Sequence, residues 1–352
     1  MMRRALALAE RGLYTTTPNP RVGCVLVQAE SVVGEGWHEK TGAPHAEANA
    51  LAAAGARAKG ATAYVALEPC NHQGRTPPCA QALARAGVAR VVAAARDPNP
   101  KAARGGEALA AAGIRFEAGL LEMEARELNI GFFSRMERGR PWVRMKIAAT
   151  LDGRTALADG RSQWITGAEA RRDGHRWRAR ACAVLTGAGT VRADDPRLTV
   201  REVETPRQPL RVVVDSRLEI PTAARILEGG NVVVFCGADE TTRRRALESK
   251  GVEVVVLPNP QGKVELPAML EALARRGINE LHVEAGFRLN GSLVREGCVD
   301  EFLVYLNPSF LGDGAQGMLE LAPFGSLEQR IKLRLLGLER LGEDLRILAR
   351  PG

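Results

Sequence analysis

His45 and Glu47, read with Cys70 and Cys79, are residues whose types could act together chemically. One imidazole and two thiols make three metal ligands. Three protein ligands leave a fourth tetrahedral position open, which is the condition for a hydrolytic zinc site. A metal there lowers the pKa of its water towards neutrality. Glu47 is not needed as a ligand and can carry the water's proton to a leaving nitrogen, the division of labour found in zinc deaminases. The spacing departs from the general pattern, because eight residues separate Cys70 from Cys79 where the common signature has two. On ligand types and spacing alone, a catalytic metal and a pair of buried structural cysteines both stay open.

The elements around these residues favour catalysis. Residues 62–67 read as a buried strand ending at Glu68-Pro69-Cys70, and Cys79 opens a helical run that Gly87 stops. A thiol at a helix N-terminus meets unpaired backbone N–H groups, which favour the thiolate. A helix over 1–14, strands at 22–27, 31–37, 88–95 and 114–118, and helices from His45 to about Gly55, at 105–112 and at 122–136 complete the first half. Strands alternating with helices predict a mixed sheet covered on both faces. Ligands in such sheets gather outside the carboxyl ends of strands, and His38, Cys70 and Asp97 all fall at strand ends.

A chain of 352 residues suits two domains better than one, and 137–141 reads as the linker. The expected domains are 1–140 and 141–352. No apolar run approaches the ~18 residues of a membrane helix. The N-terminus reads as an amphipathic helix with Glu10 inside its apolar patch, not as a secretory signal. Six scattered cysteines do not form a disulfide framework, so a reducing cytoplasm is expected. The net charge of +8 is spread out: residues 1–140 hold 18 Lys+Arg against 13 Asp+Glu, and the remainder 31 against 28. With 4% aromatic residues, that argues against single-strand nucleic-acid platforms.

The second half repeats the strand–helix alternation. Strands are expected at 142–148, 183–186, 210–215, 231–235, 252–257 and 280–284, with 302–307 and 345–349 as closing antiparallel strands. A basic helix spans 171–180. Gly187-Ala188-Gly189-Thr190 follows a strand but lacks the full dinucleotide fingerprint. Residues 284–292 form a strand end, a glycine turn and a helix start. Such a turn can hold a pyrophosphate on backbone N–H groups, though read by itself the segment favours a plain tight turn.

Taken together, TPNPRVGCV, GEGWHEKTGAPHAEANAL, AYVALEPCNHQGRTPPCAQAL and RDPNP in the first half, and KIAATLDGRTA, GRSQWITG, TGAGTVRADDPRLTVR, VEAG and LNPSFLG in the second, resemble the bifunctional riboflavin-biosynthesis deaminase–reductase family nearly end to end. The eight-residue cysteine spacing is also that family's. The resemblance implies a cytidine-deaminase-like α/β/α sandwich followed by a dihydrofolate-reductase-like α/β domain, with Zn2+ and NADPH as cofactors. It implies hydrolytic removal of an amino group from a diaminopyrimidinone ribosylamino 5′-phosphate, then reduction of the ribosyl group to ribityl. Zinc falls to His45, Cys70 and Cys79, and the proton shuttle to Glu47. Substrate contacts fall on Asn19, His38, His72, Arg75 and Asp97.

In the reductase half, the resemblance implies catalytic or cofactor roles for Lys146, Ala148, Trp164, Thr190, Asp194, Gly286, Phe287, Arg288, Leu289, Asn290, Gly291 and Ser292. Substrate roles fall on Ser162, Arg178, Leu198, Arg201 and Glu284. Arg178 and Arg201 suit phosphate chemically, and Asp194 could handle a proton. The expected partner is a small phosphorylated pyrimidine, with no nucleic acid or membrane, and homo-oligomerisation through the reductase domain. The competing reading is a zinc deaminase of RNA or free nucleosides whose second half only binds.

Overall fold

The structure, a computed structural model, describes residues 1–73 and 77–352. The chain divides into two compact units, Met1–Gly139 and Arg140–Gly352.

The first unit comprises α1 (Met2–Glu10), β1 (Gly23–Gln28), β2 (Ser31–Trp37), α2 (Ala46–Ala54), β3 (Thr62–Val65), α3 (Cys79–Arg85), β4 (Arg90–Ala93), α4 (Gly105–Ala111), β5 (Arg115–Ala118), α5 (Glu122–Leu128) and α6 (Ile130–Arg138). Its sheet has the order β2-β1-β3-β4-β5. The β1 pairings are antiparallel, and β3, β4 and β5 run parallel. Alternate residues feed two cores: Cys24, Leu26, Val65 and Val91 pack under α2, α3 and α4, while Val25 and Val92 pack under α1, α5 and α6. This is the expected three-layer sandwich.

The 122–136 stretch, read from its periodicity as one helix, is two. Asn129 breaks it: its buried side chain accepts from the Arg21 backbone N–H at 2.8 Å and donates to the Arg21 carbonyl at 2.9 Å. That long-range pairing outweighs one continuous helix. The second helix then runs to Arg138, shortening the expected linker to a break at Gly139, whose φ is 68°.

Small residues let α2 lie close on β2. A Cβ at Gly36 would stand 2.6 Å from the Ala46 carbonyl oxygen, and one at Gly34 would stand 2.3 Å from that of Ala50. Glycine is required here for approach, with Ala46, Ala50 and Ala54 on the helix side.

The second unit comprises β6 (Trp142–Thr150), β7 (Arg154–Ala156), α7 (Ala168–Arg180), β8 (Ala183–Gly187), α8 (Ala188–Asp194), β9 (Leu210–Val214), β10 (Val232–Cys236), α9 (Thr241–Glu248), β11 (Glu253–Val256), α10 (Leu266–Arg275), β12 (Glu280–Val283), α11 (Phe287–Arg295), β13 (Glu301–Asn307), β14 (Gln316–Gly317), β15 (Leu333–Leu341) and β16 (Asp344–Pro351). Its main sheet has the order β11-β10-β9-β8-β12-β6-β13-β16-β15. The strands from β11 to β13 are parallel, and β16 and β15 close the sheet antiparallel. Met145, Val212, Phe235 and Val283 pack beneath α10 and α11. The opposite face lies under α7, α8 and α9.

β15 was not expected. LRLLGLERL has neither strict alternation nor a buried face; all but its last residue are exposed. Leu335 and Leu338 are each 59% exposed on this edge strand.

Gly36→Ala is expected to destabilise the first unit by roughly 1–3 kcal/mol through overpacking. It should also displace the N-terminus of α2, so that zinc retention falls. Denaturant unfolding and metal content of the purified variant check both.

Candidate active sites

The first site forms where β2, β3 and β4 deliver their C-terminal loops to the N-termini of α2 and α3. His45 is the N-cap of α2 and Cys79 the first residue of α3. The ligand atoms of His45, Cys70 and Cys79 all lie within 4.8 Å of one another. His45 Nδ1 is 3.3 Å from Cys79 Sγ and 3.6 Å from Cys70 Sγ, and the Cys79 backbone N–H donates to Cys70 Sγ at 3.5 Å. Hydrogen bonds from Cys79 and then His45 hold the Cys70 thiol down to about 4, while sharing with Cys70 and burial push Cys79 up. One nitrogen and two sulfurs, with one sulfur already favoured as thiolate, suit zinc.

Glu47 lies in the first turn of α2 and is buried. Burial, then the neighbouring Cys70, pushes its carboxyl above the ordinary range. A carboxyl that readily takes and releases a proton beside a metal site fits a shuttle. His38 sits at the end of β2, with Nδ1 3.1 Å from the Pro44 carbonyl oxygen, Nε2 3.1 Å from Asn19 Nδ2 and its ring edge-on to His45. Asp97, after β4, has its carboxyl pushed up to about 7, chiefly by burial. His72 is half-buried, with Nδ1 lacking a partner. Arg75 lies outside the described residues.

Glu68 escaped the sequence reading. It is buried, and accepts from the backbone N–H of Asp97 at 3.2 Å and of Gly106 at 2.8 Å. It therefore ties the Cys70 loop to the Asp97 loop. Its position next to the ligand loop was the only sequence signal.

In the second unit, β8 and β12 are adjacent parallel strands; β8 ends at Gly187, the N-cap of α8, and Gly286, three residues past the end of β12, is the N-cap of α11. A Cβ at Gly286 would face Thr190 Oγ1 at 3.5 Å, and nothing stands within 4 Å of one at Gly189. Asn290 is buried, donates to the Ala285 carbonyl oxygen at 3.2 Å and leaves its own Oδ1 unpartnered. Two helix N-termini beside an open glycine and an unsatisfied amide suit a dinucleotide phosphate. Phe287 starts α11, and Leu289 stands 3.2 Å from a Cβ built on Gly187. Arg288 lies towards Glu320 at 3.8 Å, Gly291 packs against the Glu320 backbone, and Ser292 donates to the Arg288 carbonyl oxygen.

One residue beyond the Val283–Met145 pair, Glu284 stands beside Lys146, with Nζ and Oε2 3.7 Å apart. Arg178 grips Glu284 through both carboxylate oxygens and donates to the Thr199 carbonyl oxygen at 3.1 Å. Arg178 and Lys146 outweigh burial and hold Glu284 well below the carboxylate range, while burial lowers Lys146. Ala148 lies opposite Tyr305. Ser162 donates to Asp194 at 3.4 Å, and burial raises Asp194. Leu198 is buried with a φ of 51°. Trp164 is 70% exposed, under the Arg171 guanidinium. Arg201 holds Thr199 Oγ1 at 3.1 Å, and its backbone N–H donates to His175 Nδ1 at 3.2 Å.

Comparison with known proteins follows the same division. The family described as "Cytidine and deoxycytidylate deaminase zinc-binding region" matches residues 1–95, and "RibD C-terminal domain" matches residues 141–347. "Riboflavin biosynthesis protein RibD" of Escherichia coli (strain K12) is 45% identical, over 98% of this chain and 96% of that one. The chain belongs to the RibD family. The Aquifex aeolicus RibD is 44% identical over 98% of this chain and 96% of its own. Among solved structures, Acinetobacter baumannii RibD superposes with a TM-score of 0.92 at 43% identity, covering 100% of this chain and 98% of that one. A Thermotoga maritima diaminohydroxyphosphoribosylaminopyrimidine deaminase/5-amino-6-(5-phosphoribosylamino)uracil reductase gives 0.88 at 32% identity, covering 100% and 97%. As a RibD, the chain is a bifunctional riboflavin-biosynthesis enzyme: a zinc-region deaminase followed by an NADPH-dependent reductase, α/β throughout. No helix among the described residues is long and apolar enough to cross a membrane.

His175 was not read from the sequence. Burial and then the Arg178 charge lower its ring to about 4, so it is neutral and accepts from Arg201. A histidine depressed in the fold contributes stability above its unfolded pKa of about 6.5 that is lost as pH falls towards 4. The native chain should therefore lose on the order of 1–2 kcal/mol between pH 7 and pH 5 that His175→Gln does not lose. Urea unfolding at the two pH values measures the difference.

Proposed function

We propose that this RibD deaminates a diaminopyrimidinone ribosylamino 5′-phosphate in the unit ending at Gly139 and reduces the resulting aminouracil phosphate in the unit beginning at Arg140. The convergence of His45, Cys70 and Cys79 beside buried Glu47 is the observation that carries this reading.

In the first unit, His45, Cys70 and Cys79 would hold zinc, which when bound supplies Lewis-acid activation of water. Glu47 takes the attacking water's proton and returns it to the departing amino nitrogen; its raised pKa suits both transfers. Asn19, His38, His72 and Asp97 supply the pocket for the ring. The Asn19–His38 hydrogen bond fixes the donor and acceptor pattern offered to it.

In the second unit, NADPH when bound supplies the hydride. The N-termini of α8 and α11, with Gly286 and Thr190, would receive its phosphates. Ala148 and Trp164 complete its surroundings. Arg201 is the better phosphate clamp, since Arg178 is engaged by Glu284. Lys146 and Glu284 orient the ribosyl group, Ser162 and Leu198 border it, and Asp194, hydrogen-bonded by Ser162, handles the proton. Pre-positioning of the two reactants does most of the work of hydride transfer.

The exposed leucines of β15 support homo-oligomerisation through this unit, because an unpaired apolar edge strand is a template for a second copy. None of the six cysteines forms a disulfide, which supports a reducing, cytoplasmic location. Small phosphorylated pyrimidines, not nucleic acids, are the proposed partners.

With the diaminopyrimidinone phosphate supplied, ammonia should appear with or without NADPH, and NADPH should be oxidised only after ammonia release. Ammonia without NADPH oxidation would leave the second unit as a binding domain. Glu47→Gln should keep its zinc and lose ammonia release by roughly 10²–10⁴-fold. A charge at Leu335 and Leu338 should shift the oligomer to monomer in sedimentation.

A further inference from the structure

β12 and the residue that follows it present Glu280, His282 and Glu284 to the face beneath α7. Both carboxylates are held by cations: Arg144 and Arg180 meet Glu280 at 3.1 and 2.7 Å, while Arg178 and Lys146 meet Glu284. His282 stands between them, opposite Arg144 on β6 and Val184 on β8. It is fully buried, and neither ring nitrogen has a hydrogen-bond partner. Nε2 lies 3.5 Å from Glu284 Oε1.

That placement is costly as packing alone. A buried polar group without a partner loses hydration and gains nothing, and an apolar side chain of similar volume would fill the space more favourably. The other charges on this face are matched among themselves. Arg144 also bonds Glu301, Arg350 bonds Glu301, and Arg144 stacks on Trp177 at 4.3 Å. The Glu284 carboxylate is an acceptor within reach of the His282 ring.

We propose that His282 is a positioning residue for the reductase centre, its neutral ring donating from Nε2 towards Glu284 and fixing the carboxylate beneath Lys146. The proposal rests on the assignment of Lys146 and Glu284 to that centre. Arg178 sets the plane of the carboxylate through its two-pronged grip, but both partners are long side chains that can shift together. A ring anchored in the sheet limits that shift. Burial keeps the ring neutral, and the Nε2–H tautomer is the one that donates. With Glu284 held, Lys146 keeps its place and its charge at the carboxyl end of the central strands.

The bifunctional chain carries its own control for folding, since ammonia release does not use this unit. His282→Phe and His282→Leu remove the donor, whereas His282→Gln restores an N–H near the Nε2 position. Phe and Leu are expected to lower kcat for NADPH oxidation about tenfold, the worth of one hydrogen bond to a charged group. KM for NADPH and ammonia release should stay within about twofold. Gln should recover most of the lost kcat. Phe or Leu enzymes with kcat within about twofold of the native chain would overturn the proposal, as would a Gln enzyme as slow as Phe, which makes the role one of shape. Glu284→Gln separates the two levels. Full reductase rate in that variant overturns the assignment of Glu284 itself, whereas a slow Glu284→Gln beside an unimpaired His282→Phe overturns only the positioning role.

Discussion

Charge taken out of water and matched by opposite charge is the interaction on which the second unit depends. Arg144 is 2% exposed between Glu280 and Glu301, each 1% exposed, deep under α7. Removing one member of such a set typically costs about 3–5 kcal/mol, because the remaining charge is stranded in low dielectric. The set is therefore strongly coupled, and it specifies how β6, β12, β13 and α7 register on one another. Lys146, Glu284 and Arg178 continue the same logic one step further towards the carboxyl ends of the strands. Lys146, Glu284 and Arg178 form the less buried end of that charge array.

The first unit applies the constraint differently. Several of its buried polar groups are tied to a backbone group or to another site residue. Glu68 accepts two backbone N–H groups, His38 joins Pro44 and Asn19, and Cys70 is held by His45 and Cys79. Close packing of α2 on Gly34 and Gly36 places His45 and Glu47, so backbone approach and side-chain chemistry are one problem. A metal's binding energy then adds to the folding energy of a site assembled from two connections, one entering α2 and one entering α3.

The sequence was informative where chemistry depends on residue type. The His45, Cys70 and Cys79 group and its strand-then-loop context were legible, and so was the alternation that makes both units α/β. Burial partners were not. His282 reads as one of three alternating polar residues, with Glu280 and Glu284, whose partners the sequence does not show, and Glu68 as a neighbour of a cysteine. The break at Asn129 arises from a pairing with Arg21, 108 residues away in sequence, which no local periodicity can register. β15 was missed because an edge strand exposed on both faces carries no alternation.

By itself, then, the sequence determined which functional groups are present, the order of the strands and helices that carry them, and the family to which their long ordered blocks belong. Tertiary structure alone decided which groups meet. It paired Arg178 on α7 with Glu284 just past the end of β12, so that guanidinium is already engaged by a carboxylate. It also set the buried His282 ring 3.5 Å from the Glu284 carboxylate. Those outcomes depend on distances between strands far apart in the chain, and on how far each group is removed from water. Neither quantity is written in local residue spacing.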